Sequence, residues 1–68
     1  MKEIETISFV DDETHQNGVA VIRATKGLVG VALSLESNGD IEVFLSVDIS
    51  RSLAAAISEA VAIASSNT

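Results

Sequence analysis

Three glycine-ended dipeptides, Asn17-Gly18, Lys26-Gly27 and Asn38-Gly39, are the main punctuation in a proline-free chain of 68 residues. They constrain the fold more than any other feature of the sequence, because they cut the first two thirds into runs of about eight residues. Runs of that length suit strands, and Xaa-Gly pairs between apolar runs are hairpin signals. The runs are Glu3 to Val10, Gly18 to Ala24, Leu28 to Leu35 and Ile41 to Val47. In the third, Val29, Val31, Leu33 and Leu35 alternate with Gly30, Ala32 and Ser34. In the fourth, Ile41, Val43, Leu45 and Val47 alternate with Glu42, Phe44 and Ser46. This period of two predicts strands with one buried face. In the first run Ile7 and Phe9 fall on one face, Ile4 and Val10 on the other.

The face argument also predicts a register for the last hairpin. A two-residue Asn38-Gly39 loop would set Leu33 against Phe44 and mix the two faces. A three-residue Ser37-Asn38-Gly39 loop sets Leu35 opposite Ile41, Leu33 opposite Val43, Val31 opposite Leu45 and Val29 opposite Val47. Gly39 then takes the positive φ of a bulged turn. Phe44 would lie across from Ala32 and diagonal to Gly30.

After Val47 the period lengthens. Ile49, Leu53, Ile57, Ala60, Val61 and Ala64 form one helical stripe, and Leu53 to Ala64 holds six alanines, the residue of highest helix propensity. Asp48 or Ser50 is the expected N-cap. Residues 65–68, Ser65-Ser66-Asn67-Thr68, read as a frayed polar tail. The expected architecture is α+β: one domain over 1–68, a four-stranded antiparallel β-meander followed by one C-terminal helix packed on one face (ββββα).

Composition narrows function. The chain has no cysteine, tryptophan or tyrosine, and His15 is its single histidine. Disulfides, thiolate metal sites and cysteine nucleophiles are therefore absent from its chemistry, and no serine sits in a nucleophile-elbow pattern. Gly27-Leu28-Val29-Gly30 lacks the GK[ST] of a phosphate loop. No catalytic residue and no cofactor are expected. Four basic against ten acidic residues give a net charge of −6, which disfavours nucleic acid and anionic membranes as partners and favours a basic protein. The N-terminus lacks an apolar signal region, and Leu53 to Ala64 is too short for a bilayer, so a cytoplasmic location is the expectation. Asp11, Asp12, Glu13 and His15 form the densest polar cluster. An acidic loop 11–15 could serve a small-ligand or hard-cation module, but its spacing matches no recognised calcium loop.

Apolar content of 47% is high for so small a domain, although nine of the 32 apolar residues are alanine. A chain of this size buries only about 60% of the surface it exposes unfolded, so a lone copy is marginal. One helix covers one sheet face, yet the second run is apolar on both sides, which suggests a second covered surface. The expected partner is another copy, in a homodimer. The candidate interface residues are Ile22, Ala32 and Phe44 on the sheet and Ala55, Ser58 and Ala62 on the helix. The functional expectation is a small acidic, non-catalytic protein-interaction module, in its sharper form an inhibitor presenting negative charge to a basic partner.

Overall fold

The computed structural model describes residues 1–66. Four antiparallel strands, β1 (Lys2–Val10), β2 (Asn17–Thr25), β3 (Leu28–Leu35) and β4 (Gly39–Ser46), form one sheet in the order β1-β2-β3-β4. A single helix, α1 (Val47–Ser66), follows and packs on the sheet. The α+β meander-plus-helix architecture expected from the turn spacing is the one observed.

The tight turn between β2 and β3 is Lys26-Gly27, with Thr25 paired to Leu28 and Gly27 at a φ of 81°. That pairing decides the faces of β2. Ala20 and Ile22 share the side of Leu33 and Val31, while Val19 and Val21 share the side of Ser34 and Ala32. On β1, Ile7 and Phe9 join the first of these sides. A register shift between Glu3 and Glu5 leaves Ile4 as an extra, bulged residue.

The β3–β4 hairpin corrects the expected register. Leu33 pairs with Ile41, Val31 with Val43 and Val29 with Leu45, two residues from the expected partners. Phe44 consequently sits opposite Gly30, and Ala32 opposite Glu42. The reason is that face matching fixes only whether the pairing sum is even or odd. A slip of two residues keeps every side chain on its face, so turn geometry decides. Here the turn spans Leu35 to Asn38, closed by the Asn38 amide donating to the Leu35 carbonyl at 3.3 Å. Gly39 follows at a φ of 78°, left-handed as expected.

The helix start is corrected for a related reason. With Ser46 paired to Leu28, β4 ends flush with β3, and Val47 opens the helix instead of extending the strand. Ser46 is the cap, its Oγ accepting from the Ile49 amide at 3.2 Å. Neither Asp48 nor Ser50 has that role; Asp48 lies in the first turn, where a negative charge suits the helix dipole. At the other end, Ser65 and Ser66 belong to the helix. Their hydroxyls donate to the carbonyls of Val61 and Ile63 at 2.8 and 2.9 Å, bonding back to the preceding turn. Asn67 and Thr68, the rest of the expected tail, lie outside the described residues.

Candidate functional site: an open apolar face

Helix width and sheet width do not match. Four strands at about 4.8 Å spacing make a sheet roughly 19 Å wide with its side chains, whereas a helix is about 10 Å across. Because α1 leaves β4 without a loop, its close backbone approaches are to β4 and β3, and its side chains reach as far as Ile22 on β2. Ser50, Leu53, Ala54 and Ile57 face Ile22, Val29, Val31 and Leu45, with a gap of about 220 Å³ between them. Close-packed interiors hold few voids larger than a water molecule.

The rest of this sheet face is uncovered. Ile7, Leu33 and Ile41 are 51%, 46% and 60% exposed, and among the described residues no hydrophobic side chain is fully buried. Among the described residues the only buried ones are Gly18 and Gly30. Each lies beneath one of the chain's two aromatic rings, Phe9 on the helix side and Phe44 on the far side. Overall dimensions agree. The Cα radius of gyration is 13.5 Å, where about 11 Å is usual for this length. The accessible surface is 5211 Å², where about 4,100 Å² is usual for this mass.

The open face is also free of charge over three strands. Gly18, Ala20, Ile22 and Ala24 of β2 join the apolar positions of β3 and β4, while Lys2 and Glu5 mark its edge on β1. The opposite face is more polar than the sequence suggested. Thr6 and Ser8 come from β1, Ser34 from β3 and Asp40 from β4. Arg23 pairs with Glu42 across β3, beside Gly30 and Ala32.

The six candidate interface residues therefore do not form one patch. Ile22 lies under the helix, Ala32 and Phe44 lie on the opposite sheet face, and Ala55, Ser58 and Ala62 lie on the helix flank turned from the sheet. The residues that sequence reasoning passed over are Leu33 and Ile41, which it placed on a buried strand face, and Ile7, to which it gave a face and no role. It also passed over Ile63 and Val61, which are 58% and 61% exposed. A signal for them was available in the helix. From Ile63 through Ile49, Leu53 and Ile57 to Val61 and Ala54, apolar residues span about half the circumference. A single contact needs an arc of only about 100°.

The acidic loop closes on itself. Asp11 Oδ2 accepts from the Thr14 amide at 2.7 Å and from the Thr14 hydroxyl at 2.6 Å. These bonds favour the ionised form and hold the Asp11 carboxyl below its ordinary pKa. His15, at a φ of 62°, donates its amide to the Asp11 carbonyl at 2.7 Å. Gln16 Oε1 takes the Ser37 amide and hydroxyl at 3.1 and 2.6 Å, tying this loop to the β3–β4 turn. Among the described residues no cluster of three potential metal ligands forms. A concavity of about 620 Å³ beside these loops is lined by Phe9 and Leu35 from one face and Ser8 and Ser34 from the other. It wraps around the end of the sheet instead of entering the fold. Among the described residues, no helix is long and apolar enough to cross a membrane.

No family model, curated protein or solved structure matches this chain.

Proposed function

We propose that this chain is a small acidic, non-catalytic interaction module that works as a homodimer and presents its acidic rim to a basic protein partner. The observation that carries the reading is the uncovered apolar face, too large for a self-sufficient monomer. The charge distribution supports the second half. Glu3 and Glu5 lie on one edge strand, Asp40 and Glu42 on the other, and Asp11, Asp12, Glu13 and Glu36 at the loop end. Two of the four basic side chains, Arg23 and Arg51, already face Glu42 and Asp48. Charged edges also discourage strand pairing with other sheets, so the experiment must isolate charge recognition. Immobilised protein is exposed to lysate of its source organism at about 50 mM and about 500 mM salt, a range over which the Debye length shrinks severalfold. A basic protein retained only at low salt, and lost from an Asp40→Asn/Glu36→Gln variant, is the expected result. Retention indifferent to both changes refutes the charged-partner reading.

A further inference from the structure

Building on the homodimer reading, we propose that the open part of the helix-side face is completed by α1 of a second copy, each helix lying over its partner's Ile7, Leu33 and Ile41. The uncovered part is the row Ile7, Ala20, Leu33 and Ile41 across the four strands, beside the Ile22, Val29, Val31 and Leu45 that α1 faces, and one helix about 10 Å across suits it. A second copy supplies one, because α1 carries more apolar surface than its own sheet uses. Its own sheet engages Ser50, Leu53, Ala54 and Ile57. Ile49 and Ile63 lie on the adjoining flank, 56% and 58% exposed, and Val61 continues the stripe beyond the last contact.

Area and charge favour this occupant. Twice 5211 Å² is the surface of two separate copies, whereas a compact particle of twice the mass has about 6,800 Å². Closing that difference buries about 3,600 Å² in total, within the range of obligate homodimers and well above the standard interface of about 1,600 Å². Two chains each carrying a net charge of −6 repel unless they meet through uncharged surface. The open face is uncharged across β2, β3 and β4, and Glu59 lies on the helix side turned from it. The Phe44 face carries Asp40 and the Arg23–Glu42 pair, charges that a contact there would have to desolvate. A reciprocal helix-on-sheet contact is also self-complementary, as a two-fold dimer requires.

The test needs no substitution. Sedimentation equilibrium at micromolar protein gives the mass. In parallel, isotope-filtered NMR on a mixture of labelled and unlabelled chains reports contacts between copies. The expected outcome is a mass near twice 7.1 kDa, with intermolecular contacts joining Val61 and Ile63 methyls to those of Ile7, Leu33 or Ile41. A dimer whose intermolecular contacts centre on Phe44 and Ala32, or join the two sheets without the helix, overturns this inference and leaves the homodimer standing. A folded monomer overturns both. Leu33→Glu is expected to shift the mass toward the monomer or unfold the chain, and Phe44→Glu to leave a dimer.

Discussion

Gly18→Ala is predicted to destabilise the fold although it replaces glycine inside a strand. A Cβ at position 18 would lie 2.5 Å from Phe9 Cζ, 2.6 Å from Phe9 Cε2 and 2.9 Å from Leu35 Cδ2. The Phe9 ring rests on the glycine, so it must swing outward by about an ångström to reach ordinary contact, with Leu35 yielding as well. Overpacking of this kind costs about 1–3 kcal/mol. Gly18 is outside the positive-φ region, so alanine also restricts the unfolded chain and returns about 0.4–1 kcal/mol. The net expectation is a loss of about 1 kcal/mol, or about 4–8 °C in Tm for a domain this size. Urea unfolding at one fixed protein concentration measures it, so that the proposed association contributes equally to both variants. The decisive control is Phe9→Ala. With the ring gone, Gly18→Ala should become neutral or stabilising, giving a coupling of about 1 kcal/mol between the two sites. Equal effects of Gly18→Ala in both backgrounds would refute the ring-on-glycine explanation.

Two further predictions concern the turns. Gly39→Val should cost more than about 1 kcal/mol, wholly from backbone strain, because a Cβ at position 39 would meet no atom within 4 Å while φ is 78°. Gly39→Asn should lose far less, and denaturant midpoints that rank the two alike would argue against a left-handed requirement. Asp11 has a folded pKa below its unfolded value, so its contribution is present above the ordinary carboxylate pKa and is lost as pH falls through the folded one. In a carboxyl-carbon NMR titration, Thr14→Val should raise the Asp11 midpoint; an unmoved midpoint would show that Thr14 is not the cause.

The strand faces were legible because alternation is a property of single residues. Val29, Val31 and Leu33 share a face whatever they pair with, and Gly39 signals its left-handed conformation wherever the turn closes. Register was less legible, since Leu33 against Val43 and Leu33 against Ile41 satisfy the same pattern. Only the closure of the turn at Asn38 separates them. The helix start inherited that ambiguity. Once Ser46 meets Leu28, Val47 has no strand position left, and a serine that read as the outer face of a strand becomes a cap.

The open face required a different kind of reasoning from pattern. Alternation identifies which side chains favour burial, while coverage depends on the width of what is available to lie on them. A four-stranded meander with a single helix is deficient by about one helix breadth, and the direct passage from β4 into α1 determines where the deficit falls. A long β4–α1 loop would let the helix cross the middle of the sheet and leave a narrow margin on each side. The Ser46 cap removes that freedom, holds α1 over Val29, Val31, Leu45 and Ile22, and leaves the row through Ile7, Leu33 and Ile41 uncovered. That row carries no charge, and the helix beside it keeps a spare apolar flank at Ile49 and Ile63, which is why the proposed occupant is a second helix of the same kind.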